Sequence, residues 1–107
     1  MSSPAVDAAA GLRALLAGRR PQIDDVLRRY SATTPRLFGS VARGDAVDGS
    51  DIDLLVDLDR DAGNALMRVA GISEELSILL GVRVDVVTEA LLRDGVSASV
   101  RRDLVPL

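Results

Sequence analysis

The stretch LFGSVARGDAVDGSDIDLLVD, residues 37–57, contains the features that decide how this chain folds. Gly39 closes a short apolar segment, and a loop rich in turn formers then leads to Asp51 and Asp53. The run that follows, residues 52–58, is almost continuously apolar, which is typical of a strand buried on both faces. The stretch therefore predicts two strands, of which the second is central and begins with two acids.

Hydrophobic spacing outside this stretch predicts the remaining elements. They are helices over residues 4–17 and from Pro21, a connector over residues 31–34, a strand over residues 36–38, a short helix over residues 41–45 capped by Ser40, a helix over residues 62–80 started by Asp59 or Asp61, a strand over residues 82–87, and a weaker helix after Thr88. The long helix is expected to end at Gly81 and to turn inward Leu66, Val69, Ile72, Leu76, Leu79 and Leu80. This order predicts an α/β (α+β) fold with a small sheet flanked by helices.

The length and composition limit the chemistry that is available. A chain of 107 residues suits one domain, here residues 1–107, with N-terminal helices over 1–33, a motif-bearing core over 36–88 and a C-terminal helical segment over 89–107. It contains neither cysteine nor histidine, which excludes disulfides, thiolate or imidazole metal sites and serine–histidine triads. Any metal is therefore expected to be a hard cation held by oxygen.

The charge balance and hydropathy indicate which partners to expect. A net charge of −3 and only two aromatic residues, Tyr30 and Phe38, argue against nucleic-acid binding. No apolar run reaches the roughly 20 residues of a membrane span. The N-terminus has no signal-peptide pattern, since Asp7 and Arg13 interrupt its apolar stretch. We therefore expect a cytoplasmic protein without a membrane partner.

Three carboxylates are candidates for metal ligands. Asp51 and Asp53 are two residues apart, so in a strand they point the same way and repel each other unless a cation lies between them. Asp85 interrupts an apolar strand, where a lone acid is unfavourable unless it is paired or metal-bound. If the two strands are neighbours, the three acids face one pocket and a two-metal site becomes plausible.

The glycine turn is a candidate for phosphate binding. Gly39 permits close approach of an anion, Ser40 offers a hydroxyl, and Arg43 lies one turn later, where Asp45 can pair with it. The alternative for every one of these residues is a structural role: a strand-to-helix turn for Gly39 and Ser40, and a loop, cap or half-exposed strand position for the acids. The combination of a phosphate turn with a metal pair eleven residues later favours a metal-bound nucleoside triphosphate.

The combination Gly39-Ser40, Ala42-Arg43-Gly44-Asp45 and Ser50-Asp51-Ile52-Asp53, with Val84-Asp85-Val86 later, resembles the minimal nucleotidyltransferases of the DNA polymerase β superfamily. The resemblance covers roughly residues 36–88. It implies a mixed sheet flanked by helices, two Mg²⁺ ions (or Mn²⁺), and transfer of a nucleoside monophosphate from a triphosphate, ATP above all, to a hydroxyl. It also implies that Gly39, Ser40 and Arg43 bind the nucleotide and that Asp51, Asp53 and Asp85 are both catalytic and metal-binding.

The small members of this family imply a role for the whole protein. Many are antitoxins of HEPN/MNT toxin–antitoxin systems, and some transfer AMP to a tyrosine of a HEPN-type ribonuclease toxin. Since only about twenty residues follow Asp85, we expect another protein to complete the acceptor site, in an oligomer with that partner. Two alternatives stay open: an antitoxin that neutralises its partner by binding alone, and an enzyme acting on a small molecule such as an aminoglycoside.

Overall fold

The computed structural model describes residues 4–47, 49–59, 63–91 and 100–107. Its helices are α1 (Pro4–Gly18), α2 (Arg20–Arg29), α3 (Gly39–Arg43) and α4 (Ala65–Leu80), and its strands are β1 (Ala32–Phe38), β2 (Ile52–Leu58), β3 (Val84–Val87) and β4 (Val105–Pro106). A 3₁₀ turn covers Glu89–Leu91, and residues 100–103 are helical. No helix in the described ranges has the length and apolar character needed to cross a membrane.

The four strands form one mixed sheet in the order β3-β2-β1-β4. β2 runs parallel to β3 and antiparallel to β1, and β4 pairs antiparallel with the other edge of β1. One face of β2 contributes Ile52, Leu54 and Val56 to the core, all of them fully buried together with Ile72 and Leu76 of α4. The predicted fold class, with β2 as a central strand over residues 52–58, is confirmed.

The start of β1 differs from the prediction. Residues 31–34 were expected to be a connector, but Ala32 and Thr33 already pair with Leu58 and Asp57. The ladder is then interrupted between Thr33 and Arg36, and Thr34 has a φ of +53°. This interruption explains why the polar run before Pro35 has the composition of a turn although it belongs to a strand.

The start of β1 and the end of β2 are joined by a buried arginine, Arg68 of α4, which is 8% exposed. Its Nε donates to the carbonyl of Tyr30 at 2.9 Å, and its two terminal nitrogens donate to the carbonyls of Asp59 and Ser31 at 2.7 and 2.9 Å. The burial of Arg68 could not be predicted from the sequence, because an arginine in a helix is normally exposed. Its charge is accommodated by backbone dipoles at the point where the two strands meet α4.

The ends of α4 show one wrong prediction and one confirmed prediction. The N-cap is Asn64 and not Asp59 or Asp61 as predicted; Asp61 lies outside the described residues. The side chain of Asn64 accepts a hydrogen bond from the Met67 amide at 3.1 Å. Because the helix begins only at Ala65, Leu66 lies in its first turn and is 64% exposed rather than inward. Gly81 ends the helix with a φ of +70°, as expected.

The C-terminal part is only partly as predicted. β3 begins at Val84, two residues later than expected, and Thr88 is followed by the short 3₁₀ turn instead of a longer helix. Most of the predicted final helix falls in residues 92–99, outside the described ranges. β4 is an addition that the sequence does not predict, since it is a two-residue strand containing Pro106 at the sheet edge.

Candidate active site

Two neighbouring strands bring the three predicted acids to one place. Asp53 of β2 and Asp85 of β3 are direct partners in the parallel ladder, and parallel strands lie about 4.8 Å apart. Asp51 precedes Asp53 by two residues and shares its face of the sheet. The predicted neighbourhood of the two strands is therefore confirmed. We call Asp51, Asp53 and Asp85 the acidic cluster.

The electrostatics of the acidic cluster are unfavourable in isolation. The pKa of Asp53 is raised from its usual value of 3.8 to about 6, first by burial and then by repulsion from Asp85 and Asp51. Arg43 opposes this shift by attracting the carboxylate. The fold therefore holds Asp53 where its ionised form is disfavoured unless further positive charge is supplied.

The glycine turn lies directly against this carboxylate. Gly39 has a φ of +72°, a conformation that residues with a Cβ rarely adopt. A Cβ on Gly39 would lie 2.4 Å from Oδ2 of Asp53, which is closer than any real contact. Glycine is therefore needed here for both its conformation and its lack of a side chain, and the predicted closeness of the turn to the acids is confirmed.

The short helix after the turn begins earlier than predicted. α3 starts at Gly39, so Ser40 lies inside its first turn and is not the cap. The N-cap is Phe38, which makes no side-chain cap hydrogen bond. The carbonyl of Ser40 accepts from the amides of Gly44 and Asp45, both at 3.0 Å, and Gly44 ends the helix with a φ of +83°. Ser40 thus directly follows the glycine that lies against Asp53, and its backbone carbonyl closes the helix.

Arg43 is held by carboxylates at the end of α3. Its Nε lies 3.1 Å from Oδ2 of Asp45, which confirms the pair predicted from the sequence. One terminal nitrogen also lies 2.7 Å from Oδ2 of Asp103, sixty residues further along the chain. A phosphate contact by Arg43 would therefore compete with two existing ion pairs.

Four further residues support the site, and none of them was singled out from the sequence. Arg13 of α1 donates to the carbonyls of Val41 and Ala42 in α3, at 3.3 and 2.7 Å. The carbonyls at a helix end lack partners inside the helix, so Arg13 satisfies them and fixes α3 against α1. The only sequence signal was the position of an arginine within an apolar helix face.

The strand that carries Asp85 is fixed by two serines of α4. β3 is an edge strand, and its outward amides at Val84 and Val86 donate to the hydroxyls of Ser77 and Ser73, at 2.9 and 3.0 Å. The two serines are four residues apart, so they lie on one face of the helix. They hold the backbone on both sides of Asp85 and also protect the sheet edge.

A third arginine lies at the acidic cluster itself. Nε of Arg83 is 3.7 Å from Oδ2 of Asp51 and 3.4 Å from Oδ1 of Asp85. Its side chain is 72% exposed. Arg83 was considered only as part of the predicted strand over residues 82–87, although its spacing of two from Asp85 places it on the same face.

The donor set fits a divalent cation. All three side chains are carboxylates, the ligands that Mg²⁺ and Mn²⁺ prefer, and their mutual repulsion is the kind that a cation removes. In the described ranges, no three acidic side chains already have the spacing of a coordination sphere. Binding of a cation would therefore require the three carboxylates to rotate toward a common centre. Without a cation, their mutual repulsion opposes this rotation.

Comparison with known proteins gives a consistent result. The nucleotidyltransferase domain family matches residues 20–105. The protein adenylyltransferase MntA of Thermococcus cleftensis is 35% identical over 81 residues, which cover 76% of this chain and 80% of that protein.

Two solved structures share the fold. A structure assigned provisionally as a minimal nucleotidyltransferase is 39% identical, with a TM-score of 0.71, over 92% of this chain and 95% of its own. A toxin–antitoxin structure with AMP-PNP is 25% identical, with a TM-score of 0.61, over 80% of this chain and 69% of its own. The acids paired across β2 and β3, the glycine turn against them and these matches lead to one conclusion: the chain belongs to the nucleotidyltransferase domain family.

Proposed function

We propose that this protein transfers AMP from ATP to a hydroxyl, a tyrosine, of a HEPN-type toxin and thereby acts as its antitoxin. The observation that supports the chemistry best is the contact of Gly39 with Asp53, which is itself paired with Asp85. A phosphate turn and a set of cation ligands in contact are what a nucleoside triphosphate with its metal requires. The named relative MntA, a protein adenylyltransferase, supports the transfer of AMP.

Each residue has a distinct part in this proposal. Gly39 leaves room for the triphosphate beside Asp53, and Ser40 offers its hydroxyl to a phosphate oxygen. Asp51, Asp53 and Asp85 would together hold the two Mg²⁺ ions. Arg43 approaches the phosphates by giving up its pair with Asp45 or Asp103. When bound, the ions supply charge stabilisation and lower the pKa of the attacking hydroxyl.

The reaction exchanges a phosphoanhydride bond of ATP for a phosphodiester bond to the acceptor. The acceptor oxygen forms a bond to the α-phosphorus, the bond from that phosphorus to pyrophosphate breaks, and the hydroxyl proton passes to a base at the acidic cluster. The chain's own residues contribute by orienting the triphosphate and by holding carboxylates where negative charge is already crowded. The serines that fix β3 keep Asp85 in line with Asp53.

The antitoxin role is supported by a structural relative. The toxin–antitoxin structure with AMP-PNP shares the fold of this chain. The test is to mix the protein with the product of the adjacent reading frame and MgATP, and to measure the mass of that product. We expect it to gain one AMP on a tyrosine. An unchanged mass, with a partner that binds and is neutralised, would contradict the proposal.

A double variant separates catalysis from binding. Asp51→Asn with Asp53→Asn keeps the size of both side chains but removes two negative charges. We expect this variant to bind the partner and to lose protection of cells against it. Full protection by the double variant would favour neutralisation by binding alone. Transfer of AMP to an aminoglycoside without any partner protein would favour a small-molecule acceptor instead.

A further inference from the structure

Arg83 lies between two of the three carboxylates of the acidic cluster. Because Val84 pairs with Ile52 in the parallel ladder, Arg83 stands beside Asp51 and on the same face as Asp85. Its Nε is 3.7 Å from the first carboxylate and 3.4 Å from the second. Among the described residues, Arg83 is the arginine whose ion pairs reach the cluster, since Arg43 is paired with Asp45 and Asp103.

This arrangement is weak and open. Both distances exceed the roughly 2.7–3.2 Å of an N–H···O hydrogen bond, and the Arg83 side chain is 72% exposed. Ion pairs of this length and exposure contribute little to stability. Arg83 is therefore held near the cluster by charge alone, without the geometry that would fix it.

The side chain also has room to leave. A cavity of about 450 Å³ adjoins Asp51 and Arg83, and it is lined in part by Gly11, Gly49 and Gly81. A Cβ added to any of these glycines would meet nothing within 4 Å. A guanidinium displaced from the two carboxylates can move along this wall without rearranging the backbone.

We propose that Arg83 is a tethered counter-cation of the acidic cluster, which lowers its affinity for a free divalent cation and is displaced when the cation arrives with a nucleotide. The inference rests on the proposed function in one respect, that the cluster binds a divalent cation. A free cation is repelled by Arg83, whereas a metal–triphosphate complex carries net negative charge, and the displaced guanidinium then attracts it. Arg83 thus determines specificity for the metal–nucleotide complex over the metal alone.

The test is a titration with Mn²⁺ in the absence of nucleotide, followed by the loss of the free-ion EPR signal. We expect Arg83→Gln to bind Mn²⁺ about 3- to 10-fold more tightly than the wild type, as expected for removing a unit charge next to a divalent ion. Arg83→Lys keeps the charge and should stay within about twofold of the wild type. With Mn²⁺ and ATP together, the advantage of Arg83→Gln should disappear or reverse.

Arg28→Gln is the matched control. Arg28 is also 72% exposed and also paired with an aspartate, Asp25, but on α2. Its loss changes the net charge equally and should leave the Mn²⁺ affinity unchanged. Thermal melts of all variants confirm that each one is folded during the titration.

The outcomes distinguish this inference from the proposed function. If the wild type binds Mn²⁺ and Arg83→Gln binds it no more tightly, the role of Arg83 is overturned and the metal site stands. If Arg28→Gln tightens binding as much as Arg83→Gln, net charge explains the effect and the role of Arg83 is again overturned. If no variant binds Mn²⁺, or if binding survives in Asp53→Asn with Asp85→Asn, the metal site of the proposed function fails as well.

Discussion

The two ends of the β1–β2 pair handle charge in opposite ways. At one end the buried guanidinium of Arg68 donates to three backbone carbonyls at 2.7 to 2.9 Å. At the other end three carboxylates crowd together, and Arg83, the arginine paired with them among the described residues, approaches no closer than 3.4 Å. The first end is complete without a ligand, whereas at the second end burial, followed by a surplus of negative charge, raises the pKa of Asp53.

This difference separates a structural charge from a functional one. A buried charge that has all its hydrogen bonds needs nothing further, and removing it leaves its partners unsatisfied. Bringing together carboxylates that repel one another lowers the stability of the folded protein. Such a cluster therefore indicates a ligand that binds to it when the protein functions.

Replacing Arg68 with Met should have the largest effect on stability. The carbonyls of Tyr30, Ser31 and Asp59 would lose their charged donor, and we expect the free energy of unfolding to fall by about 3 to 5 kcal/mol. Urea unfolding followed by circular dichroism measures the change. Arg101→Met is the control, since Arg101 is 64% exposed and paired with Glu89, and its loss should stay within about 0.5 kcal/mol. If both variants lost the same free energy of unfolding, Arg68 would contribute no more to stability than an exposed arginine, and the contrast between the two ends would fail.

Gly39→Ala should come next and should affect both stability and binding. A positive φ costs alanine about 1–2 kcal/mol, and the added Cβ must also displace the Asp53 carboxylate. Gly44→Ala is the matched control, because Gly44 also has a positive φ but nothing lies within 4 Å of its Cβ position. We expect Gly39→Ala to lose at least about 1 kcal/mol more than Gly44→Ala in urea unfolding. A larger loss in the control would mean that close approach is not what selects Gly39.

Asp53→Asn should stabilise the protein, in contrast to both variants above. The pKa of Asp53 in the folded state, about 6, lies above its unfolded value, so the folded state loses stability as the pH rises from about 4 to about 6. Above pH 6 this loss of stability is complete. Because solvent screens a half-buried carboxylate, we expect Asp53→Asn to raise the free energy of unfolding by about 1 to 2 kcal/mol there. Below about pH 4 the gain should vanish.

Thermal unfolding from pH 4 to 8 in EDTA measures this dependence. Asp57→Asn is the control at the opposite end of β2, where Asp57 is 54% exposed and paired with Arg36 at 2.7 Å. The control should be no more stable than the wild type at any pH. A destabilised Asp53→Asn at pH 8 would show that the carboxylate is satisfied within the fold.

The serine contacts behind Asp85 should have the smallest effect. Ser73→Ala and Ser77→Ala each remove one acceptor from an edge amide of β3, with an expected loss of about 1 kcal/mol apiece. Hydrogen exchange should speed up at the amides of Val84 and Val86, while the amide of Leu54 in the central strand keeps its protection. Unchanged exchange at both β3 amides would mean that the serines do not hold the strand.

The sequence predicted the parts of this fold that depend on local patterns. The central strand over residues 52–58 was clear because Ile52, Leu54 and Val56 are all apolar, and the αL end at Gly81 was clear because glycine favours that conformation. The family resemblance rested on residues that are close in sequence, Gly39 and Ser40 with Asp51 and Asp53. Local pattern and motif were sufficient for these features.

The rest depended on contacts between distant residues. Ala32 and Thr33 belong to β1 because they pair with Leu58 and Asp57. The turn-like composition around them does not predict this pairing. Arg68 and Ser77 act through partners in other elements, and nothing in their own neighbourhoods separates them from ordinary surface residues. For Arg83 the only local signal is its spacing of two from Asp85. The closeness of the glycine turn to the three acids was thus predictable, and the groups that position and balance them were not.

The contrast between the two ends implies that the acidic cluster is incomplete until it binds a metal–nucleotide complex. The most direct measurement is the free energy of unfolding of the wild type and Asp53→Asn at pH 7.5, first in EDTA and then with saturating Mg²⁺ and ATP. We predict that the order reverses: Asp53→Asn is the more stable protein in EDTA, and the wild type is the more stable protein with the ligands. At a ligand concentration of about a hundred times Kd, binding should stabilise the wild type by about 2.7 kcal/mol. The difference measured in EDTA must be subtracted from this gain to compare the two proteins. If Asp53→Asn stays the more stable protein under both conditions, the claim is contradicted.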